Sequence, residues 1–213
     1  MKMATVLFIG LAVVSCKKAT NETEAKGAEE VSNVEAAANY TADASASTIA
    51  WKGSAPTKSH NGTISISEGS LALEDGKLTG GNFIIDMNSI VNLDLEDETY
   101  NGKLIGHLKS ADFFDVENNA FSAFAITGVE DKDGKTMVKG NLTIKGIKKN
   151  IEFPASVSVD GDAVSFTSEV FNIDRTEWDV KYNSGKFFED LKDKLIDDNI
   201  ELSFTVKATK ATM

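Results

Sequence analysis

The sequence predicts an all-β fold, in which about eight antiparallel strands close into a barrel that carries one or two short helices. In residues 135–160, apolar and polar side chains alternate on both sides of a turn signal at Gly146, with the period of paired, half-buried strands. The polar outer face of these strands argues against helices covering both faces of the sheet. The chain has 2 Pro against 16 Gly and few long helical periods, which is typical of short strands joined by glycine-containing turns.

The remaining elements are predicted from the same alternation. Strands are predicted at residues 49–53, 62–66, 71–73, 78–85, 121–129, 163–173 and 199–207. A helix is predicted at 97–108, where acidic residues precede apolar ones at helical spacing, and a second, shorter helix near 186–195. With the two strands of the hairpin at 135–160 the list has nine short segments, and we expect them to form a barrel of about eight strands, which can close around packed side chains or around one small ligand.

Composition limits the number of domains and the class of partner. The chain has 213 residues, 41% of them hydrophobic, which fits one domain with a substantial core. Its net charge of -11 disfavours nucleic acid, because phosphates require clustered basic side chains.

The N-terminus has the features of a targeting segment. Lys2 precedes an apolar run that is too short to span a bilayer, and Ser15 stands directly before Cys16. The sequence at 13–16 resembles the bacterial lipobox, which predicts a lipoprotein signal peptide at 1–15 and acylation of Cys16. An ordinary secretory signal that leaves a free thiol is the alternative. Cys16 is the only cysteine, so no intrachain disulfide can form.

Residues 16–47 are rich in Ala, Glu, Asn, Thr and Ser and have no sustained apolar face. They are predicted to form a flexible tether, followed by the barrel domain at 48–213. A tethered domain behind an acylated cysteine predicts a membrane-anchored lipoprotein of the bacterial cell envelope, on the periplasmic or the surface side.

Strand parity predicts which side chains point into the barrel. The predicted lumen residues are Ile64, Ile66, Phe83, Ile85, Phe124, Ile126, Val138, Leu142 and Phe204. Gly62, Gly81 and Gly140 share that face and are expected to leave volume unfilled. The alternative is that these glycines relieve strain at barrel corners.

Three polar or aromatic residues complete the predicted ligand-binding site. Arg175 is the only arginine, and its planar fork suits either an anion or a structural clamp to Asp174, Glu177 or Asp86, of which the clamp is favoured. His60 shares parity with Ile64 and is expected to face the lumen near one end, although a capped or core histidine is the more ordinary role for it and for His107. Trp178 could plug the barrel or form its wall.

Several segments together resemble the YceI-like family. They are GHLKSADFFDV at 106–116, LTIKG at 142–146, SHNG at 59–62, DMNSI at 86–90 and NIDRT at 172–176. The resemblance covers nearly all of residues 48–208, in the family's order. It implies a lipocalin-like barrel of a bacterial exported protein, whose lumen takes a long-chain amphiphile such as a polyisoprenoid. Ala120 and Asp179 depart from the pattern, since the family usually has Pro and often has Gly there.

The sequence gives little support to an enzyme. It contains no nucleophile elbow, no phosphate-binding loop and no histidine pair at metal-ligand spacing. The acidic cluster at 94–98 precedes a predicted helix, where such residues ordinarily cap it. No catalytic residue, cofactor or metal is therefore predicted, and the expected partners are a lipid and the membrane, with a homodimer left open.

Two functions of different classes remain. The first is carriage of an isoprenoid or similar lipid in the lumen, with a fatty acid, an amide or a quinone tail as alternative ligands. The second is a packed barrel that acts in envelope stress through protein contacts on its acidic surface. The two differ in one structural respect, which is whether the lumen is open.

Overall fold

The computed structural model describes residues 21–31 and 38–211, and it confirms an antiparallel barrel. The elements in chain order are β1 (Lys26–Gly27), β2 (Ala38–Ala42), β3 (Thr48–Ala55), β4 (Lys58–Glu74), β5 (Lys77–Asn92), α1 (Glu98–Lys109), β6 (Phe121–Lys132), β7 (Lys135–Ile144), β8 (Ile147–Asp160), β9 (Ala163–Ser168), β10 (Phe171–Asp174), the 3-10 turns Arg175–Trp178 and Lys192–Lys194, and β11 (Asn199–Lys210).

Eight of these strands form a closed ring. β4, β5, β6, β7 and β8 pair in succession as neighbours along the chain. β8 then pairs with β9, β9 with β11, β11 with β3, and β3 with β4. All of these pairings are antiparallel, and they leave the ring without a free sheet edge.

The short strands complete the wall where a ring strand ends. β2 lies between β4 and β11 beyond β3, with Tyr40 opposite Leu71 and Ala42 opposite Ala208. β10 pairs with β11 beyond the stretch that β9 occupies. Each long strand therefore has different partners along its length.

Aromatic rings fill the core. Phe153 stacks on Phe171 with ring centroids 4.5 Å apart and touches the ring of Phe124 at 5.5 Å. Phe166 meets Phe204 edge to face at 4.9 Å. Because alternate residues of each strand face inward, the predicted parity places these rings inside the barrel.

One predicted helix is confirmed and the other is wrong. α1 spans Glu98–Lys109, and the Asp97 side chain caps its N-terminus by accepting hydrogen bonds from the backbone N–H groups of Thr99 and Tyr100. Near 186–195 there is only the 3-10 turn. Asp190 and Lys192 have φ angles of 55° and 48°, which a right-handed α-helix cannot accommodate.

The predicted tether needs correction where the structure describes it. β2 begins at residue 38 and Tyr40 is buried in the core, so the barrel begins about ten residues earlier than predicted. β1 pairs with β8, and the Thr23 N–H donates a backbone hydrogen bond of 2.9 Å to the carbonyl of Asn172 in β10. Residues 21–27 therefore lie between β8 and β10. The predicted signal peptide at 1–15 and the predicted lipidation site Cys16 lie outside the described residues.

Candidate ligand-binding cavity in the barrel lumen

The lumen contains a cavity of about 290 Å³ at one end of the barrel, here called the upper cavity. Its lining comes from strands of the ring, from α1 and from the loops around the 3-10 turns. The lining residues are Ile49, Trp51, Gly53, Ser54, Ala55, Lys58, His60, Ile64, Ile85, Met87, Ile90, Leu104, His107, Leu108, Phe113, Phe114, Ser122, Leu142, Ile144, Ile173, Arg175, Trp178, Val180, Ile196, Asp197, Ile200 and Leu202. Lys58 and Asp197 are exposed, so this end communicates with solvent.

A second cavity of about 70 Å³, the lower cavity, lies further along the lumen. Its lining is entirely aliphatic and aromatic: Ile49, Ile66, Phe83, Ile85, Phe124, Leu142, Ile151, Phe153, Phe171, Leu202, Phe204 and Val206. Ile49, Ile85, Leu142 and Leu202 border both cavities. The two cavities therefore adjoin at these four side chains, which form the constriction between them, and together they are here called the tunnel.

The structure places most of the predicted site residues along this tunnel. His60, Ile64, Arg175 and Trp178 line the upper cavity, and Ile66, Phe83, Phe124 and Phe204 line the lower one, while Ile85 and Leu142 border both. Ile126 and Val138 are buried, with 2% and 0% of their surfaces exposed, but line neither cavity. Their inward parity is correct, but they pack into the core of the barrel instead of facing open space.

The glycines of the inward face do not create the open volume that was expected of them. A Cβ at Gly140 would lie 2.2 Å from the Phe124 ring, and one at Gly62 would lie 2.8 Å from the Trp51 ring. Neighbouring atoms therefore occupy the space that these glycines leave, and the nearest are the backbone carbonyl oxygens of Val91 at Gly62 and of Ser70 at Gly81. The tunnel arises from spacing between larger side chains.

Helix α1 and the loop after it cover the upper end of the barrel. Leu104, His107 and Leu108 face the upper cavity from the helix. Phe113 follows in the loop and packs against the ring of Tyr182 at 5.5 Å, with His107 edge-on at 5.0 Å. Because Phe113 is 7% exposed, it serves as an anchor of this cover.

His60 is held in a defined orientation on the wall of the upper cavity. Its Nδ1 lies 2.8 Å from Oδ2 of Asp94, whose Oδ1 accepts hydrogen bonds from Asn61 N at 2.7 Å and Asn92 Nδ2 at 2.6 Å. Burial acts to raise the pKa of Asp94, but these hydrogen bonds outweigh it and hold the pKa below its ordinary value. An ionised carboxylate only accepts, so Nδ1 is the donor in this contact.

Arg175 is a structural clamp, which is the role that the sequence analysis favoured, but its partners differ from the predicted ones. Its guanidinium donates to the carbonyls of Asp197 at 3.0 Å, Val180 at 2.6 Å and Ile196 at 3.0 Å. Asp198, at 3.5 Å, supplies the carboxylate in place of Asp174, Glu177 or Asp86. Burial lowers the pKa of the guanidinium, against the effect of the surrounding carboxylates. The fork thus ties the 3-10 turn Arg175–Trp178 to the irregular segment that leads into β11.

Asp174 precedes this clamp and caps the 3-10 turn. Its Oδ1 accepts hydrogen bonds from Thr176 N at 2.9 Å and Thr176 Oγ1 at 2.6 Å, and its Oδ2 pairs with Lys186 Nζ. Burial acts to raise the pKa of Asp174, but the bonds from Lys186 and Thr176 bring it below the ordinary value. Asp179 ends the turn with a φ of 58°, the left-handed conformation that explains the family's preference for glycine there.

The two tryptophans differ in how their indole N–H groups are satisfied. Trp178 is fully buried, forms part of the cavity wall, and donates from Nε1 to the carbonyl of Leu142 at 3.1 Å. Trp51 was not among the predicted site residues, although it alternates with Ile49 and Gly53 on the inward face of β3. Its Nε1 is buried and has no hydrogen-bond partner in the part of the chain that the structure describes.

The described residues contain neither a metal-binding cluster nor a membrane-spanning helix. No group of three or more His, Cys, Asp or Glu side chains there is arranged to hold a metal ion. No helix within residues 21–31 and 38–211 has the length and apolar character needed to cross a bilayer.

The fold and the tunnel define a class of protein, an antiparallel barrel with an apolar lumen that opens at one end. The particular family is given by the sequence: the model of the YceI-like domain matches residues 40–208, and the chain belongs to this family. The match begins within β2, which agrees with the corrected start of the barrel. No curated protein matches the chain.

Solved structures share the fold at low sequence identity. BcnA of Burkholderia cenocepacia is 23% identical with a TM-score of 0.62, over 79% of this chain and 99% of that one. A polyisoprenoid-binding domain from Saccharophagus degradans is 14% identical with a TM-score of 0.58, over 81% and 98%. The YceI protein of Campylobacter jejuni is 16% identical with a TM-score of 0.50, over the whole of both chains.

Proposed function

We propose that this protein binds and carries a long-chain amphiphilic lipid, a polyisoprenoid or a similar molecule, in the lumen of its barrel. The observation that carries the proposal is the tunnel of about 290 and 70 Å³, lined almost throughout by aliphatic and aromatic side chains. An open apolar lumen with one polar end matches a molecule that has a long apolar chain and a polar head. The proposed activity is binding without chemical conversion.

The family and its members support the isoprenoid class in particular. The chain belongs to the YceI-like family, and one structural neighbour is described as a polyisoprenoid-binding domain. We take a polyisoprenoid as the preferred ligand, with a fatty acid, a fatty amide or a quinone tail as the alternatives within the same chemistry.

The energetics favour exchange over permanent capture. Burying about ten methylene groups in the lumen is worth roughly 8 kcal/mol relative to water, before the costs of association. Relative to a bilayer the gain is close to zero, because the membrane interior is equally apolar. We propose that the protein works at the bacterial envelope, held by an acylated Cys16, and exchanges its lipid with membranes.

The alternative of a packed barrel acting through its surface predicts inward side chains that meet across the middle. The tunnel counts against this alternative, although Ile126 and Val138 do pack into the core as a packed barrel would require. We therefore rank surface-mediated envelope stress function second.

Native mass spectrometry of gently purified protein tests the proposal directly. We expect a co-purifying lipid, and thermal stabilisation of delipidated protein when a polyprenol is added. The matched control is a variant with the upper cavity filled, Ile64→Trp, whose folding is checked by circular dichroism. Absence of both lipid and thermal shift in the parent protein, or equal shifts in the parent and the filled variant, would remove lumen binding from consideration.

A further inference from the structure

Residues 21–29, here called the strap, fill a strand position in the barrel wall that the ring strands do not occupy. On that side of β8, β9 pairs with residues 155–160, and β1 of the strap pairs with the stretch around Asn150. β10 has β11 on one side and the strap on the other, where Glu22 forms a parallel bridge with Asn172. The strap therefore closes a window between β8 and β10.

The window is bounded at both of its ends. At one end, the Glu169 N–H donates to the carbonyl of Pro154 at 2.9 Å. At the other end, Lys149 Nζ lies 2.9 Å from Oε2 of Glu177. Because neighbouring strands lie about 4.8 Å apart, β8 and β10 are separated by two such spacings, or roughly 9–10 Å, when the strap is absent. The window is thus one strand wide, which suits a single extended hydrocarbon chain.

The window leads to the lower cavity. Ile151 and Phe153 of β8 and Phe171 of β10 come from the two strands that border the window, and all three line that cavity. Ala25 of the strap packs against the core cluster to which they belong. Behind the strap, the rings of Phe153 and Phe171 stack with their centroids 4.5 Å apart. Exposed side chains change rotamer within nanoseconds, so the strap is the slower layer of this barrier.

The strap is held mainly by polar contacts. The Thr23 N–H donates to the carbonyl of Asn172 at 2.9 Å, and the Asn172 N–H donates to the carbonyl of Asn21 at 3.0 Å. Thr23 Oγ1 accepts from the Glu152 N–H at 3.0 Å. Six of the nine strap residues are exposed, and Thr23 alone is buried. Since the strap buries little apolar surface, its detachment should require much less free energy than unfolding of the ring.

A buried amide on the outer face of the barrel holds the far end of the strap. Asn141 Nδ2 donates to the carbonyl of Glu29 at 2.7 Å, and Asn141 Oδ1 accepts from the Glu29 N–H at 3.0 Å. Asn141 points outward, because its neighbour Leu142 faces the lumen, yet it is only 3% exposed. The Asn141 side chain therefore binds the strap through the main chain, as a paired strand would.

We propose that the strap is a gate, and that a lipid chain enters and leaves the lower cavity sideways through the window when the strap detaches from β10. This inference rests on the proposed lipid binding and specifies its route. A chain that enters from the upper cavity has to pass the constriction, whereas the window gives direct access to the lower cavity. The strap lies outside residues 40–208, so the gate is built from chain that precedes the matched family domain.

A reversible disulfide between the strap and β10 tests the gate. Glu22→Cys with Asn172→Cys joins two bridged positions, whose spacing lies within the range of a disulfide, and Cys16→Ser removes the only native thiol. Stopped-flow fluorescence of the two tryptophans, which line the upper cavity, follows the uptake of farnesol and geraniol. We expect oxidation to slow farnesol uptake at least tenfold and reduction to restore it. Geraniol, which is short enough for the upper cavity, should enter at the same rate in both states.

Hydrogen exchange and a loosened strap supply the second test. In the parent, the amides of Asn172 and Glu152, which donate to the strap, should exchange well before the paired amides of β4 and β5. Asn141→Ala removes both bonds to Glu29 and should speed that exchange and farnesol uptake roughly tenfold. Thr143→Ala, on the same face of β7, is the matched control and should leave both rates nearly unchanged.

The outcomes separate the gate from lipid binding itself. Equal farnesol uptake by the oxidised and reduced forms, or exchange of the strap-bonded amides as slow as that of β4 and β5, would overturn the gate. Failure of farnesol to bind the parent chain would instead overturn the proposed lipid binding. If the double-cysteine variant does not fold, Asn141→Ala decides, because faster exchange without faster uptake would also overturn the gate.

Discussion

The constriction between the two cavities should set how long a chain the protein can hold. Leu202 borders both cavities and lies between Trp51 and Phe171 in neighbouring strands. Leu202→Phe places a ring at this point and should close the passage to the lower cavity. The upper cavity remains available, so short ligands should still bind.

The size of the effect follows from the lower cavity. At about 30 Å³ for each water-sized group, the lower volume of about 70 Å³ holds roughly two methylenes, and the upper about 290 Å³ roughly ten. Two methylenes at about 0.8 kcal/mol each give about 1.6 kcal/mol, or a loss of affinity of roughly fifteenfold. The loss should appear only for chains that are long enough to reach the constriction.

Competition binding with a fluorescent lipid measures the affinity of the parent and the variant for geraniol, farnesol and geranylgeraniol. Each of these alcohols is one isoprene unit longer than the one before. We expect Leu202→Phe to spare geraniol and to weaken the longer alcohols. Leu202→Met, which nearly conserves volume, is the matched control and should bind all three like the parent. If geraniol loses as much affinity as geranylgeraniol, or if the parent shows no dependence on length, the tunnel reasoning is refuted.

Three further predictions concern stability. Gly140→Ala should cost about 1–3 kcal/mol in urea unfolding, because its Cβ would collide with Phe124, whereas Gly128→Ala, with 4.0 Å of clearance, should cost far less; equal losses would contradict this. Arg175→Lys should lower the free energy of unfolding by about 2–4 kcal/mol, since one ammonium cannot reach the three carbonyls that the fork binds, and an unchanged thermal midpoint would contradict it. The pKa of Asp174 is depressed in the folded state, so its stabilisation is present above the unfolded pKa and is lost as the pH falls through the folded pKa. Asp174→Asn should therefore reduce the fall in the free energy of unfolding as the pH is lowered. A fall as steep as that of the parent would exclude the Asp174 carboxyl as its cause.

Most of the correct predictions came from the alternation of apolar and polar residues along the strands. It was sufficient for the ring strands and for the inward positions of residues such as Ile66 and Phe204, because burial on one face imposes the two-residue period. The alternation could not show that Ile126 and Val138 pack into the core and do not line the tunnel. Parity gives the direction of a side chain, whereas its contact with packed atoms or with open space depends on residues far away in the sequence.

Two features of the structure are marked neither by residue type nor by the alternation of apolar and polar residues. The acceptors of Arg175 are main-chain carbonyls, which every residue has, so no residue type marks them in advance. Residues 21–27 join the wall largely through backbone bonds and small or polar side chains, which produce no apolar period. Trp51 is different, since its parity with Ile49 could have placed it in the lumen from the sequence alone.

The position of residues 21–27 changes how the proposed membrane anchor would act. A tether of about thirty residues would let the barrel move far from the bilayer, but the chain already joins the wall at residue 21. Five steps of at most 3.8 Å separate residue 21 from Cys16, so an acyl anchor there would hold this part of the wall within about 19 Å of the membrane. The proposed transfer of lipid between bilayer and lumen would have almost no driving force, so its speed would depend on how often the two meet. An anchor at Cys16 would keep them close and would favour repeated exchange with one membrane over transport across a wide gap.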